Sequence, residues 1–131
     1  GDLNSNNAGL VLRLTYAGRS ILFPADIQDP AFQGVLQHPS LLKSDVLVAP
    51  HHGSSEDLTP AFLSAVHADF IISSNAGRLT NKQKRFDLMA GKTPLYRTSD
   101  FGSITVTIAR DGKIAITTFL KKPATRVNDE R

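Results

Sequence analysis

Cysteine and tryptophan are absent from the 131 residues, methionine occurs once, and aromatic residues make up only 7%. Without cysteine there are no disulfides, thiolate metal sites or cysteine nucleophiles, so any metal must be held by histidine and carboxylates. Nor is there an apolar run approaching the roughly 18 residues that span a bilayer, and Gly1-Asp2-Leu3-Asn4 lacks the charged start and apolar stretch of a signal peptide. The chain is therefore expected to be soluble. A large charge of one sign is also missing: 15 Lys and Arg against 12 Asp and Glu leave +3 and a pI near 9.5. That modest excess permits an anionic partner such as DNA without implying one.

With 40% apolar residues over this length, the composition suits one ordinary core. We expect one domain over residues 1–120 and a disordered charged tail over 121–131, where little apolar surface is available to offset the entropy of ordering. Leu10, Leu12, Leu14 and Tyr16 alternate, and after Ala17-Gly18-Arg19 a second run follows over 20–23, which predicts a β-hairpin. Asp29-Pro30 reads as a cap and first helical position, leading a helix over 30–37. Val46-Leu47-Val48-Ala49 is uninterrupted, as in a strand buried on both faces. Thr59-Pro60 starts the next helix, with Phe62, Leu63 and Val66 inward, and Phe70-Ile71-Ile72 is another buried strand. A third helix over 80–90 stops at Gly91. Ile104, Val106 and Ile108 then alternate into Asp111-Gly112 and Ile114, predicting a hairpin that closes the sheet. Strands alternating with helices give an α/β fold on a mixed sheet.

Chemistry concentrates in Pro50-His51-His52-Gly53-Ser54, just beyond a buried strand, the ligand-binding edge of open α/β sheets. Neutral imidazole is a common zinc ligand, and glycine lets a ligand approach the backbone. The bland alternative is a polar loop ahead of the next helix. Asp26 ends the preceding strand and is expected to turn toward a common point with His51; its alternative is a turn aspartate. Arg78, Lys82, Lys84 and Arg85 surround the start of the third helix, where phosphate binding competes with a merely solvated face. His38 and His67 sit beside helix ends, and Phe32, Phe62, Phe70 and Phe86 read as packing.

In this order the pieces resemble the C-terminal half of the metallo-β-lactamase-like domain of ComEC-type DNA-uptake proteins, from about Asn6 to Ile108. The resemblance is carried by Asn6-Asn7-Ala8-Gly9 before an apolar strand, Leu22-Phe23-Pro24-Ala25-Asp26 for a strand ending in Gly-Asp, His51-His52-Gly53-Ser54, Ile71-Ile72-Ser73, and Tyr96-Arg97-Thr98 with Gly102. It implies half of an αββα sandwich, with Asp26 and His51 as metal ligands and His52 as the catalytic group. It further implies zinc or manganese in a complete domain, and a tether to the remainder of a membrane channel protein.

The departures are specific. The family's His-x-His-x-Asp-His cluster occurs nowhere in this chain, Ala25 replaces a glycine, and no histidine lies between Asn75 and Lys84, where a His-Pro would follow the Ile-Ser strand. A catalytic zinc usually takes three protein ligands and keeps a position for water. Two readings follow: a half-domain of a metal-dependent phosphodiesterase or nuclease-like hydrolase, or a degenerate non-catalytic module that contacts DNA through the basic cluster. Neither calls for a small-molecule cofactor, and this chain alone is expected to bind metal weakly if at all.

Overall fold

The computed structural model describes residues 5–121, with the side chains of Asn6 and Asn7 left aside. All of the expected tail except Lys121 therefore lies outside the described residues. Five strands, β1 (Leu12–Tyr16), β2 (Arg19–Phe23), β3 (Val46–Val48), β4 (Phe70–Ser73) and β5 (Leu95–Arg97), lie side by side in chain order. β1 and β2 are antiparallel, and β2 through β5 run parallel. This is an α/β fold on a mixed sheet, as alternation of the elements predicts.

The first hairpin turns where Ala17 and Gly18 both adopt positive φ, the conformation that matches the twist of the flanking strands. Three helices, α1 (Ala31–Leu36), α2 (Pro60–Val66) and α3 (Asn81–Ala90), connect the parallel strands. Their buried side chains Phe32, Phe62, Val66 and Phe86 join Leu22, Leu47 and Ile71 of the sheet in one core. The rings of Phe32 and Phe62 meet edge to face at 5.0 Å, while Phe70 is only half-buried and lies beside Tyr96.

Three expectations need correction. α1 starts one residue later than expected, with Pro30 at the cap position, so Asp29 does not cap it; the Asp29 amide instead donates to Asp57 Oδ2 at 3.1 Å. Thr59 does precede α2, but its hydroxyl makes no cap bond. The third concerns the last hairpin, β6 (Ile104–Ile108) and β7 (Ile114–Thr118), which forms its own two-stranded sheet rather than closing the main one. The reason is local: β5 runs directly into α4 (Thr98–Phe101), and Gly102 at φ +70° turns the chain out of the sheet. A ring contact between Tyr96 and Phe101 and an Arg19 bond to the Gly112 carbonyl at 2.8 Å tie the hairpin region to the main sheet.

The helices and the core residues Leu22, Leu47 and Ile71 share one face of the sheet. Strand register places Leu12, Leu14 and Tyr16 on the other, with Ile21, Phe23, Val48 and Ile72. Leu12, Leu14 and Tyr16 are exposed there, each between 43% and 52%.

Candidate functional site

Because β2, β3, β4 and β5 run parallel, the segments that follow them gather along one edge of the sheet. Pro24–Asp26 follows β2, Pro50–Gly53 follows β3, Ser74 and Asn75 follow β4, and Thr98 and Ser99 follow β5. Asp26 and both histidines thus reach the same edge. The amide of His51 donates to the Ala25 carbonyl at 3.0 Å, which laces the first two segments together.

The imidazole that faces Asp26 is that of His52, with Nε2 3.7 Å from Oδ1. His51, also expected at that point, has its Nδ1 buried without a hydrogen-bond partner among the described residues. His52 Nδ1 lies 2.9 Å from the Ser74 carbonyl oxygen. A carbonyl oxygen can only accept, so Nδ1 carries the proton and, in the neutral ring, Nε2 presents a lone pair toward the carboxylate. At 3.7 Å the two acceptors do not bond to each other. They converge on a cleft of about 230 Å³ lined by Leu10, Phe23, Ala25, Val48, Ala49 and Ser74.

The loop that presents His52 has an unusual backbone. His51 (φ 48°, ψ 47°), His52 (φ 55°, ψ 34°) and Gly53 (φ +72°) are consecutive residues with positive φ, and Ala25 beside them has φ 56°. Each of the three non-glycine residues pays about 1–2 kcal/mol for this conformation. Strain of this kind persists only where surrounding contacts determine it, and it clusters at functional sites. The position at which Ala25 departs from the resembled family is one where glycine would be relaxed, which gives the family's preference a physical basis.

Against the loop lies a buried guanidinium, from a residue not named among the site candidates read from the sequence. Arg97, at the end of β5, is 1% exposed. Its Nη2 and Nε bond Asp87 Oδ1 at 2.6 and 3.2 Å. Nη1 reaches Ser73 Oγ at 3.0 Å and Asn75 Oδ1 at 3.2 Å, and Nη2 also reaches the carbonyls of Gln83 and Gly53 at 3.2 and 3.4 Å. The Phe86 ring lies 5.9 Å away. Gln83 Nε2 donates to the His52 carbonyl at 3.0 Å, and Gln83 itself is fixed by a reciprocal capping box with Thr80 at the start of α3. A Cβ on Gly53 would stand 2.6 Å from both Arg97 Nη1 and Ser73 Oγ, so only glycine fits. These partners lie 10 to 44 residues from Arg97 in sequence; the signals available were Tyr96-Arg97-Thr98, already part of the resemblance, and Thr80-x-x-Gln83, the spacing of a capping box.

The basic cluster borders the loop, since Gln83 between Lys82 and Lys84 bonds the His52 carbonyl and the Ser55 amide donates to the Lys82 carbonyl at 3.1 Å. Lys82 is paired with Glu56, and with Arg85 it borders a depression also lined by Asp57 and Asn81. Arg78 is exposed on the approach to α3. Carboxylates therefore stand among these cations. No three His, Asp or Glu side chains are placed together to hold a metal ion among the described residues. Asp26 and His52 supply two converging acceptors, and alone they fall short of a catalytic metal set.

No family model matches the chain. Over 116 residues it is 26% identical to Competence protein ComA of Neisseria gonorrhoeae, an alignment covering 85% of this chain. It spans 17% of that protein's length. The similarity supports a relationship to competence proteins. Among the described residues, no helix is long and apolar enough to cross a membrane.

Proposed function

We propose that this chain is a domain of a DNA-uptake protein, and that the edge carrying Asp26 and His52 is the C-terminal half of a metallo-β-lactamase-type hydrolase site. The observation that carries the reading is the pair itself. A carboxylate and a tautomer-fixed imidazole, with Nε2 3.7 Å from Oδ1, converge from two strand ends, presented by a backbone held in a costly conformation. Fixing an imidazole through a carbonyl on its other nitrogen is the habit of metal-bound histidine. In a longer chain, residues outside these would complete a zinc or manganese site whose chemistry is activation of water for attack on a phosphodiester. His51 and Asp26 are the ligands the resemblance names; the geometry favours His52 as the imidazole that works with Asp26.

The half-sandwich fits the exposed face of the sheet. Sheets that are largely parallel are normally covered on both faces, yet Leu12, Leu14 and Tyr16 stand exposed opposite the helices. A second sheet, from a longer chain, would cover them.

The second reading, a non-catalytic module, is favoured by the sequence, which has no histidine between Asn75 and Lys84 where the resembled family has His-Pro. In it the domain keeps the fold, and Arg78, Lys82, Lys84 and Arg85 contact DNA. The two separate by purifying the longest natural product of the gene and following hydrolysis of bis(p-nitrophenyl) phosphate with manganese. The hydrolase reading expects turnover that His52→Gln and Asp26→Asn each abolish. Turnover indistinguishable from buffer in the wild type sends the case to the non-catalytic module.

A further inference from the structure

We infer that Arg97 is the positioning residue of this edge: its buried guanidinium holds His51–Gly53 in the left-handed turn that aims His52 at Asp26. The inference rests on reading that edge as the functional site, and it adds the element that sets the site's geometry.

The guanidinium touches the loop and two of the segments packed against it. It bonds the Gly53 carbonyl within the loop, Ser73 and Asn75 at the end of β4, and Asp87 and the Gln83 carbonyl on α3. The same helix returns to the loop through Gln83, whose amide donates to the His52 carbonyl at 3.0 Å. Two successive carbonyls of the turn are thus fixed to Arg97 and to a neighbour that Arg97 fixes. His52 Nδ1 bonds the Ser74 carbonyl, between Ser73 and Asn75, so the ring and the backbone of His52 are referred to the same strand end. An apolar side chain would fill the volume beside Phe86, but it would offer no donor to any of these oxygens. The planar fork of arginine serves several acceptors at once, which a lysine ammonium at the same depth cannot reproduce.

The test uses isotope-labelled protein of the full sequence and solution NMR. A residue with φ near +50° brings its own amide proton and α-proton close together, giving a strong intraresidue cross-relaxation peak that right-handed and extended residues lack. His67, at φ 48° and in the helix cap of α2, is an internal standard away from Arg97. In the wild type, His51 and His52 should match His67. In Arg97→Lys both peaks should be lost while His67 keeps its own. Asp87→Asn neutralises the partner of the guanidinium at a side chain that is 35% exposed and leaves an oxygen acceptor in place; it should weaken the same two peaks. If Arg97→Lys does not fold, Asp87→Asn decides alone. Strong His51 and His52 peaks persisting in a folded variant overturn the proposal and leave Arg97 a packing residue. The readout needs neither metal nor DNA, so failure of the hydrolase reading and failure of this one are distinguishable.

Discussion

Gly53→Ala puts the account of the loop at risk most sharply, because two separable costs are superposed at that position. The first is conformational: at φ +72° an L-residue is strained, by about 1–2 kcal/mol. The second is a collision, since the new Cβ would stand 2.6 Å from Arg97 Nη1 and Ser73 Oγ. A flexible side-chain tip would normally move aside cheaply. Arg97 cannot, because it is buried and bonded on all sides. Displacing it enough to break one charge-assisted hydrogen bond costs about 1.5–3 kcal/mol. The sum, about 2.5–5 kcal/mol, is a large share of the roughly 5–15 kcal/mol by which domains are stable. With a urea slope of about 2 kcal/mol per molar, the unfolding midpoint should fall by about 1.2–2.5 M. Gly77→Ala is the control: its φ is +48°, and nothing lies within 4 Å of its Cβ position, so it carries the conformational cost alone. Urea denaturation followed by circular dichroism measures both. If Gly53→Ala is no more destabilising than Gly77→Ala, the guanidinium is not confined as described, and the reasoning about the loop fails.

Ala25→Gly should stabilise the chain by about 0.5–1 kcal/mol, since relief of a left-handed alanine outweighs the entropy that glycine loses on folding; a lowered midpoint in the same denaturation assay would contradict it. Calorimetric titration of this chain with zinc should show weak binding, because Asp26 and His52 are two ligands where three are usual; tight stoichiometric binding abolished by Asp26→Ala would mean that the chain builds a metal site unaided. Any DNA binding should be sequence-independent and steeply salt-dependent, and replacing Arg78, Lys82, Lys84 and Arg85 by alanine should reduce the slope by about 0.9 for each phosphate that is no longer neutralised. Fluorescence titrations over a salt series giving identical slopes for the wild type and the four-alanine variant would end the idea that this face meets phosphates.

The elements that could be read from the chain are those whose structure is decided by near neighbours. Alternation over Leu12–Tyr16, the apolar run at Val46 and the periodic Phe62 and Val66 each announce an element that the structure contains. The edge of the site was legible for the same reason, because Asp26 and the histidine pair each follow a recognisable strand. Which imidazole meets Asp26 was not: it depends on His51 and His52 both taking positive φ, and that is imposed by contacts from other segments. β5 is three residues long and ends in a charge, so no binary pattern marks it. Arg97 is buried only because Asp87, Ser73, Asn75 and two carbonyls from elsewhere in the chain converge on it. The last hairpin illustrates the same limit: its alternation predicts strands, but their separation from the main sheet follows from the turn at Gly102.

The part proposed for the Asp26 and His52 edge is in DNA uptake. It is tested most directly by placing Asp26→Asn and His52→Gln, singly, at the native locus of the organism that carries the gene. Transformation frequency would be measured with a selectable marker, alongside immunoblots showing wild-type levels of the protein. Each variant should accumulate normally and transform no better than a deletion of the gene. Wild-type transformation by both variants, in a background where the deletion abolishes it, would contradict the claim and leave the edge without a part in uptake.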